Sequence, residues 1–396
     1  MINKKMQGLG ENSSVIRELF EYGKKRKAEI GADKVFDFSI GNPSVPCPDC
    51  VTESIKRIVS EKDATMLHGY TSAQGDIGVR TAIADYMNGK YGIGCEFSDI
   101  YMTVGAAASL TITLSAVAQK GEEVIVFAPF FPEYKVFVEN SGADVKILTV
   151  DTKDFQVNIE EFENAITEKT AAVLVNSPNN PTGAILTEET LTKMADVLRK
   201  KQQELGKEIY LISDEPYREL VYGKECPLPI NYYENTIVCY SYSKSLSLPG
   251  ERIGYILVSP KMKDKKAVYA AVCGAGRSLG FVCAPSLWQF VIGENQGVTS
   301  DTSVYAENRK LLLDALTSFG FEAVNPDGAF YLFLKSPSGD ATEFSERAKK
   351  QELLIVPSDS FGMGGYVRIS YCVSRDQIVA SIPAFEKLAK DYNLKD

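Results

Sequence analysis

The stretch SYSKSLSLPGERIG (241–254) sets one lysine, Lys244, among hydroxyls, with Arg252 eight residues later. A lysine is costly to bury, so an amine in such a turn is either solvated or held for chemistry. Ser241, Ser243 and Arg252 add two hydroxyl donors and a planar cation, a set suited to a phosphate. LISDEPYREL (211–220) carries Asp214, with Tyr217 three residues on. A carboxylate entering a buried loop needs a cation, because burial alone would neutralise it; no lysine or arginine flanks Asp214 closely, which points to a ligand as the source. VLVNSPNNPTG (173–183) brings Asn180, whose backbone is biased to an extended form by Pro181. In YMTVGAAASLTITL (101–114), Gly105, Ala106 and Ala107 open a helix with side chains small enough for its backbone N–H groups to reach an anion. GYVRISYC (365–372) places Arg368 in a β-branched strand, where an anion such as a substrate carboxylate would satisfy it.

Each group has an ordinary alternative: a solvated turn lysine, an aspartate N-cap, an arginine in an internal ion pair. Taken together, an amine, a carboxylate, a phenol, an amide and anion donors suit one ligand, a phosphorylated aromatic cofactor with a cationic ring nitrogen.

The elements that must position these groups follow from the apolar pattern. Residues 122–129, 144–150, 171–178, 209–214, 236–241 and 254–259 read as buried strands, with helical stretches at 106–119, 158–168 and 187–204 between them. Near-continuous β-branched runs alternating with helices predict a mostly parallel sheet covered on both faces, with ligands bound at the carboxyl ends of its strands. Past residue 290 a helix (302–318), strands at 329–334, 353–358 and 366–371, and a last helix (375–391) predict a smaller α+β domain. The expected division is a large cofactor-binding domain, 48–290, and a small domain made of 1–47 with 291–396.

Several function classes are disfavoured. With 396 residues and a net charge of −9, the chain is a poor partner for nucleic acid. No apolar run reaches membrane-spanning length, and the start lacks a secretory h-region, so a cytoplasmic setting is expected. His68, the one histidine, excludes a multi-histidine metal site, and no metal is expected. Cys47 and Cys50 form a C-x-x-C without a second pair, read as a packed loop rather than half a zinc site. Glycines 274, 276 and 280 miss the dinucleotide fingerprint by one residue. Lys24, Lys25, Arg26 and Lys27 are expected on a solvated helix face.

NNPTG (179–183), DEPY (214–217), SYSK (241–244) with RIG (252–254), and RIS (368–370) are ordered and spaced as in the class I pyridoxal-phosphate aminotransferases, and the chain resembles that family from FSIGNPS (38–44) to Arg368. The resemblance implies the three-layer αβα architecture of fold type I. It implies a Schiff base between Lys244 and pyridoxal 5′-phosphate, and Lys244 as the later proton shuttle. Asp214 would pair with the ring nitrogen, Asn180 and Tyr217 with the ring's phenolic oxygen, and Phe131 rather than Phe130 would stack on the ring. Ala106, Ala107, Ser241, Ser243 and Arg252 would hold the phosphate, with Gly105 before them. Tyr70 would reach it from the other subunit of a homodimer. Arg368, aided by Asn180 and Gly41, would clamp the α-carboxylate of an amino acid, and a 2-oxo acid would collect the nitrogen in a ping-pong cycle.

The match departs after TVG, where some aspartate-specific relatives carry a lysine and this chain has Ala106, Ala107 and Ala108. Arg277 is the expected substitute cation for a distal carboxylate. A β-eliminating carbon–sulfur lyase on the same fold is the alternative activity. A cofactor-bound regulator would need an added helix-turn-helix domain, for which the residues before 38 leave no room.

Overall fold

The computed structural model describes residues 2–11 and 14–394. After a two-residue strand β1 (Phe36–Asp37), the chain lays down β2 (Ile100–Thr103), β3 (Glu123–Ala128), β4 (Asp144–Thr149), β5 (Thr170–Asn176), β6 (Tyr210–Asp214), β7 (Thr236–Ser241) and β8 (Gly254–Val258). These seven form one sheet in the order β2-β8-β7-β6-β5-β3-β4. Strands β3 to β7 run parallel, and β8 is antiparallel to both β7 and β2. Strands β2, β5, β7 and β8 are buried along their whole length, which is why their sequences are apolar runs rather than alternations.

Register brings the useful ends level. Asn176 lies opposite Asp214, and Gly254 lies opposite both Ser241 and Thr103. Strands β3 and β5 are neighbours with β4 on the outer side, so the chain reverses direction across the sheet there and opens a crevice at the carboxyl ends. Helices pack on the sheet with sequence-encoded ends. The helix Glu188–Leu205, for instance, starts at Thr187, whose side chain accepts from the Thr190 N–H, and stops at left-handed Gly206.

The rest of the chain builds an antiparallel sheet in the order β11-β12-β9, from β9 (Tyr331–Lys335), β11 (Val356–Pro357) and β12 (Tyr366–Ser370), while β10 (Leu353–Leu354) pairs in parallel with β1. The single strand expected at 353–358 is therefore two, joined at fully buried Ile355 and each paired elsewhere. Phe38 and Val45 share one apolar cluster with Phe330, Leu332, Tyr371 and Phe385, so the N-terminal segment is packed into this sheet and its helices.

The basic run lies on the helix Val15–Ile30, and half of it departs from expectation. Lys24 and Lys25 are exposed, but Arg26 binds Glu352 at 2.6 Å and Lys27 binds Asp37 at 3.0 Å. Cys47 and Cys50 pack on the cluster containing Val51 and Ile58. Gly274 and Gly276 lie within the helix Lys265–Leu279, where a Cβ on Gly276 would come within 2.3 Å of the Tyr101 hydroxyl; that glycine serves packing. Among the described residues no helix is long and apolar enough to cross a membrane.

Candidate active site

Lys244 sits in a one-turn helix, Tyr242–Ser245, that follows β7 directly. Ser241 caps that turn by accepting from the Ser243 N–H at 3.1 Å, and the two serine hydroxyls lie 2.6 Å apart. The Lys244 amine donates to the Gly41 carbonyl at 2.6 Å and otherwise opens on the cleft. Burial pulls it down to about 8, opposed by Cys372 and reinforced by Arg368 and Arg252.

Beside this turn, the helix Ala106–Val117 starts at Gly105, whose φ is +92° and which offers no side chain to the leading N–H groups. A Cβ there would lie 3.0 Å from the Arg252 Nη2, and one on Gly254 would lie 2.2 Å from the Tyr240 carbonyl oxygen. Glycine at both positions lets the helix start, the lysine turn and the arginine converge. Ala106, Ala107, Ser241, Ser243 and Arg252 thus line one end of a cleft of about 290 Å³.

Asp214 ends β6 at the floor. Tyr134 donates to its Oδ2 at 2.5 Å, and its Oδ1 is buried with no partner. Burial pushes this carboxyl up to about 7, with Glu215 adding to the rise and the Tyr134 hydrogen bond opposing it. Arg218, four residues on, pairs instead with Glu215 in the buried wall behind the strand at 2.7 Å. Asn176 links Asp214 to Asn180, donating to the Asp214 carbonyl at 2.9 Å and accepting the Asn180 N–H at 2.7 Å.

The far wall belongs to the small sheet. Arg368, buried on β12, donates to the Asn180 Oδ1 at 3.0 Å and the Ser39 carbonyl at 2.6 Å, and its Nε has no partner. Its guanidinium lies 4.7 Å over the Tyr331 ring, whose hydroxyl is 2.9 Å from that of Tyr217. Phe131 lines the cleft, whereas Phe130 is buried in the apolar cluster beneath it.

Of the residues singled out from sequence, thirteen meet around this cleft: Gly41, Gly105, Ala106, Ala107, Phe131, Asn180, Asp214, Tyr217, Ser241, Ser243, Lys244, Arg252 and Arg368. Tyr70 and Arg277 do not line it within one chain; Tyr70 is 97% exposed, and Arg277 is exposed on the last turn of its helix.

The donor set fits pyridoxal 5′-phosphate. A buried carboxyl oxygen lacks a partner, backbone N–H groups, two hydroxyls and a guanidinium line one end, and the Lys244 amine on the Gly41 carbonyl lies between. The family model described as aminotransferase class I and II matches residues 33–382. The chain belongs to that family.

A crystal structure of an amino transferase from Eubacterium rectale is 53% identical to this aminotransferase, with a TM-score of 0.97 and 99% of each chain covered. An aspartate aminotransferase of Pyrococcus horikoshii is 31% identical over 385 residues, 94% of either chain. An aromatic-amino-acid aminotransferase of Thermococcus litoralis is 29% identical over 403 residues, 97% of either. The aminotransferase has the α/β architecture of fold type I and is a transferase of nitrogenous groups. Three polar cleft residues went unassigned from sequence, Tyr134, Asn176 and Tyr331, besides the apolar Ile16, Leu110, Pro216 and Pro249. Tyr134 stands in APFFPEY, three residues past Phe131, and nothing in that spacing signals its bond to Asp214.

Proposed function

We propose that this aminotransferase carries an amino group from a 2-amino acid to a 2-oxo acid on pyridoxal 5′-phosphate, in a ping-pong cycle. The observation that carries the reading is the unpartnered Asp214 Oδ1, buried under the same cleft onto which the Lys244 amine opens. When bound, the cofactor supplies an aldehyde for capturing amines and a ring that draws electrons from the substrate α-carbon.

Asp214 holds a proton on the ring nitrogen, and Tyr134 fixes the carboxylate's other oxygen. Ala106, Ala107, Ser241, Ser243 and Arg252 bind the phosphate. Phe131 covers one face of the ring, while Asn180 and Tyr217 hold its phenolic oxygen. Arg368 takes the substrate α-carboxylate, with Asn180 and Gly41 at hand. Lys244 would anchor the cofactor at rest and, once displaced by the incoming amine, would shuttle the proton between the substrate α-carbon and the cofactor. Burial lowers the amine to about 8, which favours its unprotonated form relative to an exposed lysine.

Residues 48–290 supply the cofactor half of the cleft, and 1–47 with 291–396 the carboxylate clamp. Tyr70 completes the phosphate site of a second copy, which makes the working unit a homodimer, and Arg277 stands ready for a distal carboxylate. A cytoplasmic setting accords with the sequence. The β-elimination alternative finds no support in the relatives named above, all aminotransferases.

The test is a panel of amino acids added to the purified loaded protein without any oxo acid. Donors should bleach the Lys244-linked absorbance, a later oxo acid should restore it, and Lys244→Ala should lose turnover by at least about 10⁴-fold. No bleaching by any donor, or turnover retained in Lys244→Ala, sinks the reading.

A further inference from the structure

Tyr331 stands where the two halves of the cleft meet. It opens β9, is 2% exposed, and places its hydroxyl 2.9 Å from that of Tyr217. Its ring underlies the Arg368 guanidinium at 4.7 Å. A Cβ on Gly41 would lie 2.1 Å from its hydroxyl, so that oxygen is pressed between the Gly41 backbone and Tyr217. Among the described residues, the Tyr331 hydroxyl has no polar partner other than Tyr217.

Two phenols at this distance share one hydrogen, and the direction of sharing has a chemical consequence. Neither hydroxyl has a second polar partner among the described residues, so one hydrogen is left over either way; if Tyr217 donated, it would be that of Tyr331, pressed against the Gly41 backbone. The reverse arrangement satisfies Tyr331 and leaves the Tyr217 hydrogen for a ligand in the cleft.

We infer that Tyr331 is a positioning residue: it donates to the Tyr217 oxygen so that the Tyr217 hydrogen is presented to the cleft, and its ring carries the Arg368 guanidinium. This deepens the proposed function and rests on the reading that Tyr217 serves the cofactor's phenolic oxygen. A hydrogen bond to that oxygen stabilises its anionic form. Losing the Tyr331 hydroxyl therefore raises the pH at which the bound cofactor gives up its proton. Arg368, Asp214, Cys372 and Tyr134 are the other charged or titratable groups facing the pair, with Lys244 held on the Gly41 carbonyl. The Tyr331 and Tyr217 substitutions below alter none of them.

The experiment is a pH titration of the visible absorbance of the loaded protein, made on the parent, Tyr331→Phe, Tyr217→Phe and the double variant. Tyr331→Phe should raise the midpoint by about 0.5–1 pH unit, the scale of one hydrogen bond. Tyr217→Phe should raise it at least as far, and adding Tyr331→Phe to it should change nothing more. The ring is tested separately: Tyr331→Phe should leave the donor KM unchanged, while Tyr331→Leu should raise it about tenfold. An unmoved midpoint in Tyr331→Phe, or single shifts that simply add in the double variant, overturns the inference. If Tyr331→Phe expresses poorly, the Tyr217→Phe protein with and without it still decides, since those two midpoints must coincide. Turnover retained by Lys244→Ala would instead bring down the proposed function, and this inference with it.

Discussion

Asp214 and Lys244 are displaced in opposite directions by the same cause. Burial raises the carboxyl from 3.8 to about 7 and lowers the amine from 10.5 to about 8. Between pH 4 and 7 the folded chain therefore binds a proton at Asp214 that the unfolded chain has released, so stability falls as pH rises through that window. At Lys244 the unfolded chain holds the extra proton between about pH 8 and 10.5, so stability returns as pH climbs. Urea unfolding of the cofactor-free protein should thus show a trough near pH 7–8. Asp214→Asn should flatten its acid side, by at most about 4 kcal/mol, and Lys244→Ala its alkaline side, by at most about 3 kcal/mol. Profiles that superimpose on the parent's would show that neither group is displaced. In the loaded protein the same Asp214→Asn change should cost about 10³-fold in kcat, read by steady-state kinetics, because an amide cannot hold the ring's charge.

At the scale of elements, two glycines decide whether the anion cradle closes. Gly254 stands level with Ser241 across the β7–β8 pair, and a methyl there would strike the Tyr240 carbonyl oxygen and come within 3.1 Å of the Gly105 Cα. Gly254→Ala must push β8 away from β7 and carry Arg252 with it. Cofactor titration of that variant should show at least about a tenfold loss of affinity, and an unchanged Kd would mean that the strand gives way freely. The same elements show what a sequence discloses. Strand 236–241 and helix 375–391 are legible to the residue, because an unbroken apolar run and a capped amphipathic run are local properties. The members of the cleft are legible for a similar reason: lysine, aspartate and arginine in apolar surroundings ask for partners. The partners themselves are not. Tyr134 meets Asp214 across 80 residues and Tyr331 meets Tyr217 across 114, and no spacing encodes either meeting. Arg218, four residues past Asp214, pairs with Glu215 instead, so distance along the chain does not say which carboxylate an arginine serves. Strand β2 was hidden by its length of four residues and by its place just before a helix start.

Across the whole molecule, the cleft lies between the large sheet, which supplies Lys244 and Asp214, and the small one, which supplies Arg368 and Tyr331. A ligand touching both sheets binds the folded state alone, so loading should raise thermal stability by mass action. The gain is about 2.7 kcal/mol at a hundredfold excess over Kd. Calorimetry of the stripped and reloaded protein checks this, and identical melting temperatures would mean that the folded cleft does not hold the cofactor. The short crossing at Ser39–Gly41 has its own consequence. Its carbonyl oxygens accept from Arg368 and Lys244, the two donors that the proposed function assigns to incoming molecules. On the proposed function, the backbone there would act as a stand-in for the ligands of both side chains. Substrate affinity then measures an exchange of one acceptor for another, and a loosened crossing would bind more tightly only by competing less.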